Sequence, residues 1–459
     1  MQRLIATPRG RRTLELGGAL ALAAIAGLAI AKLGNADNQL KAILLLVALC
    51  AIAAAVLNPT FALGMLLALV AFEFHFTIGG TQSGTDEALV VGLGAVLAWH
   101  IRASLVPTWA GVGGLLILLG SLLSAIGAFD PTQALWGGIR WAGALIALFA
   151  AFSLLRERPE AGRKLIDIWC GAAVVVTLGA LMQKAGIDAI VGAPFFADKV
   201  DSFFDFYTNY GGYVAMSAVL ATGELVHCWA SRQLGRATAY GGILLFILVG
   251  VAISLSRGAL LSLGAGWLVL VVLSLRRGSL AVRMVTVLAV FAVAAIVATP
   301  SSTRNQFVQR FQQPKSAATE DRQRSALQKA GLTVVREDPW GLGYNNFRHW
   351  ASIHVHNRFI QQGFFHTHRL PEQMAVDAGW LGGIGFLILA LSPFALAAQA
   401  FGRRTGSTRG AAFAGAMAGF LAQGMFDYLF DELAFLVLFV ALVYGAWHEF
   451  AGPGARART

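Results

Sequence analysis

The stretch Gly111-Val112-Gly113-Gly114-Leu115-Leu116-Ile117-Leu118-Leu119-Gly120-Ser121-Leu122-Leu123-Ser124-Ala125-Ile126-Gly127 carries no charged side chain. As a helix it is long enough to cross the hydrocarbon core of a bilayer. Comparable apolar runs occur at Leu14 to Leu33, Leu165 to Met182 and Ala281 to Thr299. None shows period-two alternation, and a segment in lipid must satisfy its own backbone hydrogen bonds, so helices are expected and not a barrel. The chain has 459 residues, 57% of them hydrophobic and 13% charged, which excludes an ordinary soluble protein. The expected fold is an all-α polytopic membrane protein with about 12–14 transmembrane helices.

The Arg-flanked N-terminus resembles a signal peptide, but Leu14 to Leu33 is long for a cleaved apolar region and further spans follow. It is read as a retained first span. The net charge of +11 lies mostly in short links between spans, which argues against nucleic acid as a partner. Cys50, Cys170 and Cys228 stand singly in apolar segments and read as small core residues.

Charge alternates from link to link. One set is basic: Arg3, Arg9, Arg11 and Arg12; Arg156, Arg158, Arg163 and Lys164; Arg232 and Arg236; Arg276, Arg277 and Arg283; Arg403, Arg404 and Arg409; Arg456 and Arg458. The other carries Asp37, Asp86, Glu87, Asp130, Asp198, Asp201, Asp205, Asp427, Asp431 and Glu432. The positive-inside rule puts the basic set and both termini in the cytoplasm. Ser256-Arg257-Gly258, the link from Ala185 to Tyr207 and the insertion from Arg304 to Arg369 then face outward.

That insertion is unusual for the outer side. It contains His349, His354, His356, His366 and His368 together with Arg310, Arg322, Arg324, Arg336, Arg348, Arg358 and Arg369. A solvated helical surface is the plain explanation; a site for an anion is the functional one. Thr319 to Arg336 predicts a helix, stopped by Glu337-Asp338-Pro339, and Gly341-Leu342-Gly343-Tyr344-Asn345-Asn346 predicts a turn. Beyond Pro371, Gly379, Gly382, Gly383 and Gly385 permit close helix packing.

Arg257 follows one apolar run and precedes another, so it should face protein or water rather than lipid. It also stands near a helix N-terminus, which already favours an anion. Its planar fork suits a phosphate, against the bland alternative of snorkelling to the interface. Arg322 and Arg324 open the loop helix. His354-Val355-His356 and His366-Thr367-His368 suggest metal ligands, yet neither pair has an acidic or Cys partner at a familiar spacing. A neutral imidazole alternatively suits removal of a hydroxyl proton.

In this order, these residues resemble the O-antigen ligase and polymerase superfamily of bacterial membrane glycosyltransferases. Ser256-Arg257-Gly258-Ala259-Leu260-Leu261 is similar to that family's Ser-Arg-Gly segment. Arg324, fifteen residues before Pro339, with Gly341-Leu342-Gly343-Tyr344-Asn345-Asn346-Phe347 following, resembles its Arg-led helix and Gly-rich turn, one residue short before the first Gly. His368, followed by Asp377, Gly379, Trp380, Leu381 and Gly382, resembles its His-Asn…Glu-x-Gly-Leu-Leu-Gly element. Arg369 replaces the Asn, Asp377 replaces the Glu, and Gln328 stands where an aromatic is common. His356-Asn357 matches the His-Asn start but lacks the later Gly-x-x-Gly. Spacing favours His368 over His356 and His366, and Arg324 over Arg322.

The resemblance implies a glycan donor on undecaprenyl diphosphate and an acceptor that is either lipid A core or another glycan. It places the protein in the bacterial inner membrane, with the active site on the extracytoplasmic side. Arg257, Arg324 and Arg322 would then bind the diphosphate and His368 would act as general base, with inversion and without metal or cofactor. The expected division is an N-terminal bundle at 1–236, a core at 237–400 enclosing the loop 300–370, and C-terminal helices at 401–459. A transporter or flippase of a lipid-linked or anionic substrate is the rival. It should place charges at mid-membrane on several spans and often shows an internal repeat; Glu73, Glu224 and His227 are the only deep candidates, and no repeat is evident.

Overall fold

A computed structural model describes residues 58–60, 63, 64, 66, 75–78, 81–84, 93, 94, 96–187, 199–204, 206–275, 278–299, 301, 305, 314–355, 366–402 and 406–452. The expected span at Leu14 to Leu33, both termini and His356 lie outside these residues. Apart from the hairpin of β1 (His75–Ile78) and β2 (Thr81–Gly84), the regular structure among the described residues is helical. The long helices are α1 (Thr108–Ile126), α2 (Pro131–Leu154), α3 (Ala161–Lys184), α4 (Tyr207–Ala230), α5 (Leu234–Ile253), α6 (Arg257–Ser274) and α7 (Gly278–Ala298). They are followed by the polar α8 (Pro314–Glu337), the short α9 (Phe347–His354), α10 (Leu370–Gly402), α11 (Thr408–Gly424) and α12 (Leu433–Phe450).

Seven of these, α1, α2, α3, α5, α6, α10 and α12, are long and apolar enough to cross a membrane. The chain is an all-α, polytopic integral membrane protein. Helix starts follow capping chemistry: Asp130 accepts from Gln133 N at 3.1 Å ahead of Pro131, Ser256 from Ala259 N at 3.2 Å, and Ser407 from Gly410 N at 3.2 Å. Small residues set the closest crossings. A Cβ at Gly120 of α1 would lie 2.2 Å from Ala378 O of α10, and one at Gly419 of α11 would lie 2.7 Å from Ser262 O of α6. At the centre α12 is buried along its length, and Phe386, Phe420, Phe430 and Phe439 pack with ring centroids 5.4–5.8 Å apart.

Hydrogen bonds show which helix ends share a face. On one face Asn209 binds Glu432, Gln423 donates to Thr208 O at 2.8 Å, Arg140 reaches Asp431 O at 2.7 Å, and Asn346 bonds with Asp130 in both directions. On the opposite face Arg236 meets Asp167, Arg409 meets Glu224, and Ser407 meets Glu449. The first face gathers part of the acidic set of links and the second part of the basic set.

Candidate functional site

The site face is organised by a break in α10. At Ala378 and Gly379 the backbone leaves the helical region, Gly379 having φ 64° and ψ −170°. Such a break strands carbonyls that the helix would otherwise use. Here the turn after α8 takes them: Leu342 N donates to Val376 O at 2.7 Å and Gly343 N to Asp377 O at 3.1 Å. In return Trp380 N donates to Pro339 O at 2.9 Å, and its indole donates to Val335 O at 2.7 Å. A Cβ at Gly341 would fall 2.4 Å from Gly379 N, and one at Gly379 would fall 2.5 Å from Trp340 O. The glycines of the turn and Gly379 are therefore two halves of one backbone joint. Gly379, expected to serve close helix packing, instead supplies the break; Gly385 packs as expected, where a Cβ would lie 2.5 Å from Gly113 O.

The joint fixes α8 against the start of α10. Leu327, Ala330 and Val334 of α8 bury themselves against Leu342, Phe347, Ala351 and Val376. At Gly331 a Cβ would be 2.4 Å from Thr367 Cγ2, so α8 crosses directly over the segment that holds the paired histidines. The helix begins at Pro314, earlier than expected, and ends at Glu337 as the Asp338-Pro339 pair predicts.

His366-Thr367-His368 is held by its own helix start. Thr367 N donates to Gln373 Oε1 at 2.7 Å, and Gln373 passes a second bond to Asp377 Oδ1 at 2.7 Å, whose other oxygen accepts from Tyr428 at 3.0 Å. His368 adopts φ 58° in the left-handed region and is 6% exposed. Its Nδ1 lies 3.4 Å from Asp427 Oδ1, longer than a tight charge-assisted bond. The His366 ring packs 4.8 Å from His368 and 5.3 Å from Tyr428, between centroids.

Arg324 arrives from α8 and donates from Nη1 to Phe426 O at 2.8 Å, the carbonyl just before Asp427. Arg324 and His368 thus meet at one turn, Phe426-Asp427. Arg257 begins α6, half-buried, and the next residue flanks the same turn: a Cβ at Gly258 would be 3.6 Å from Gln423 Cγ, and Gln423 O accepts from Asp427 N at 3.1 Å. Arg322 is exposed, two residues from Arg324 and so on another side of α8.

Two parts of this arrangement escape the sequence reading. Asp427 belongs to a short acidic link that looks like mere topology signal. Arg140 sits inside the apolar α2, buried, where its guanidinium bonds Tyr344 OH and donates to Asp431 O at 2.7 Å. It joins the Gly-rich turn to the link bearing Asp427. An ionisable residue within a span is itself a signal that could have flagged it.

Electrostatics follow from this packing. Burial alone raises the Asp427 carboxyl, but the His368 bond and the charges of His368, Arg324 and His366 bring it down to about 2. Burial, then the neighbouring His368 charge, pushes His366 down to about 4 against the opposing pull of Asp431 and Asp427. Burial and the charge of Asp377 hold Tyr428 well above its ordinary value. At neutral pH Asp427 is ionised and His366 neutral.

His366, His368 and Asp427 offer ligand atoms within 4.8 Å of one another, the donor set of a zinc-type ion. The fold thereby supplies the acidic partner that spacing did not reveal. The positive charge of Arg324 bears on both His366 and Asp427 and opposes a divalent cation there.

Residues 242–387 match the family model described as O-antigen ligase. The match runs from α5 into α10 and takes in Arg257, Arg324, His366 and His368, while Arg140 and Asp427 fall outside it. It bears out the resemblance to the O-antigen ligase and polymerase superfamily over those residues and supports ligase- or polymerase-type function in general. No curated protein matches the chain.

Proposed function

We propose that this protein transfers a glycan from a polyprenyl diphosphate carrier to an acceptor hydroxyl at the extracytoplasmic face of the bacterial inner membrane, with both termini in the cytoplasm. The observation that carries the reading is the convergence of Arg324 and His368, from separate segments, on the Phe426-Asp427 turn beside the start of α6. The basic residues of the opposite face support this orientation.

In the proposed step His368 accepts the proton of the acceptor hydroxyl at Nε2, while Asp427 faces Nδ1 and holds the ring. The acceptor oxygen bonds to the anomeric carbon as the bond from that carbon to the phosphate oxygen breaks. The electron pair leaves on the diphosphate, whose charge Arg324 and Arg257 stabilise by charge-assisted hydrogen bonds. One displacement inverts the anomeric centre and needs no metal. Arg322 would serve only as an outlying contact.

Reconstitution with a polyprenyl-diphosphate-linked oligosaccharide tests this. Release of polyprenyl diphosphate should depend on an acceptor and survive a chelator. Movement of the intact donor across the bilayer without release would instead establish the transporter reading. Loss of activity on chelation, restored by a divalent metal, would turn the three-ligand cluster into a metal centre.

A further inference from the structure

Gly341 to Asn346 were expected to form a turn in an outward-facing loop, just after the helix stop at Pro339. Their neighbours put them much lower. They dock on Gly379, and Ala378 packs against Gly120 of α1. Gly120 is six residues before the end of α1 at Ile126, or about 9 Å along the helix axis. The outer surface of α1 is apolar through this depth: Leu115, Leu119, Leu122 and Ile126 are all exposed, and Phe129 continues the stripe. On α10 the exposed residues Trp380, Ile384, Leu387 and Leu391 recur at helical spacing and form a parallel stripe. Trp380 is its top member, and Trp340, 59% exposed, stands beside it because its carbonyl abuts Gly379.

The backbone of the turn is built for a place short of water. Trp340 N donates to Asp338 Oδ1 at 3.2 Å, Gly341 N to Asp338 O at 3.1 Å, Leu342 N to Val376 O and Gly343 N to Asp377 O. Pro339 has no N–H to satisfy. Non-helical backbone at membrane depth is tolerated only where protein covers it and its polar groups are met. Gly341, Leu342 and Gly343 are buried, and the side chains the turn offers outward are those of Pro339 and Trp340, both apolar.

From these observations we infer that the 339–343 turn is re-entrant, with Trp340 and Trp380 embedded among the acyl chains and interfacial groups of the outer-leaflet lipid. The occupant of this surface is bulk bilayer lipid. Tryptophan favours that boundary, and the exposed Arg336 and Glu337 beside it extend toward the headgroups. The consequence concerns height. Going back along α10 from Gly379 to Leu370 rises about 13 Å, which returns His366 and His368 to the level of the helix ends. The buried joint thus pins the imidazoles and Arg324 at headgroup depth.

The choice of leaflet rests on the proposed orientation; the lipid contact itself does not depend on the proposed reaction and is tested without it. Trp340→Cys, in a protein whose Cys50, Cys170 and Cys228 are changed to Ala, is labelled with a small fluorophore and placed in lipid nanodiscs. Nitroxide-labelled acyl chains should quench this label several-fold more than aqueous iodide does. A label at the exposed Ser325 of α8 should show the reverse order. Trp380→Cys gives an independent second position if the first variant fails to insert. Iodide quenching at 340 or 380 equal to that at 325 would overturn the inference.

Discussion

Both faces of the bundle collect charged side chains, but they treat them differently. On the face away from the site, the fully buried Glu224 takes two bonds from Arg409, one of them 2.8 Å, and a longer contact from Arg236 at 3.4 Å. Arg236 also meets Asp167 at 2.8 Å. Both arginines of this cluster, Arg236 and Arg409, face carboxylates. On the site face Arg324 donates to a neutral carbonyl, and Asp427 sits 3.4 Å from an imidazole rather than against a guanidinium. Charges matched to one another hold helices together; charges matched to neutral groups are available to an anion or a proton. This contrast also weakens the transporter reading, since Glu224 lies near the Ala230 end of α4 in a closed ion-pair cluster.

The sharpest way to break the contrast is to remove one group from each face. His368→Ala or Arg324→Ala should lower glycan transfer by about 10²–10⁴-fold, with insertion and thermal midpoint little changed. Glu224→Ala should do the opposite. It leaves Arg409 without its buried partner, which costs about 3–5 kcal/mol, and should be read as a fall in thermal midpoint in detergent. Near-normal transfer in both site variants would refute the assignment, and an unstable His368→Ala would place the imidazole among the structural groups. Asp427→Asn should keep the fold but slow turnover by roughly tenfold or more, with partial recovery in Asp427→Glu.

How much of this was legible beforehand differs between the same two regions. The spans were legible because hydropathy over a whole segment is a strong, local signal. Helix α8 and the Gly-rich turn were legible for the same reason: Pro339 and the glycines act on their own neighbours. Arg324 and His368 were singled out by the order of motifs along the chain. Asp427 and Arg140 were not, because what places them at the candidate site lies far away in sequence: Asp427 is defined by His368, and Arg140 by Tyr344 and Asp431. Averaged hydropathy hides one arginine within α2, and one aspartate in an acidic link satisfies the topology pattern without asking for more. Gly379 was misjudged in kind, since a helix-packing glycine and a helix-breaking glycine look alike until the partner backbone is seen.

The joint at Gly379 gives a smaller effect that tests whether position, not composition, makes the site. Gly379→Ala must place a Cβ 2.5 Å from Trp340 O in a conformation that side chains rarely adopt. The strain costs about 1–3 kcal/mol. Because the turn would be pushed off α10, transfer should fall along with stability even though Arg324 and His368 are unchanged. Normal turnover at a lowered thermal midpoint would show that the joint does not set the Arg324–His368 geometry.

The smallest expected effect concerns His366. Its imidazole is held neutral by burial and by the adjacent His368 charge, with a folded value of about 4 against an ordinary 6.5. Between those two values the unfolded chain binds a proton that the folded chain refuses, so stability rises with pH across that window. The contribution is complete above about 6.5 and is lost as pH falls toward 4. Asp427 acts at lower pH, where its depressed carboxyl contributes stability above its ordinary range that is lost as pH drops toward 2. His366→Gln removes the first titration and leaves the second. Thermal midpoints of the two proteins, measured from pH 7 to pH 4, should therefore converge as pH falls, with the variant showing the flatter slope. Parallel slopes would mean that His366 is protonated in the folded protein. The neutral ring beside Tyr428, on which the separation of roles between the two imidazoles rests, would then be lost, and His366 would join the cationic side of the site.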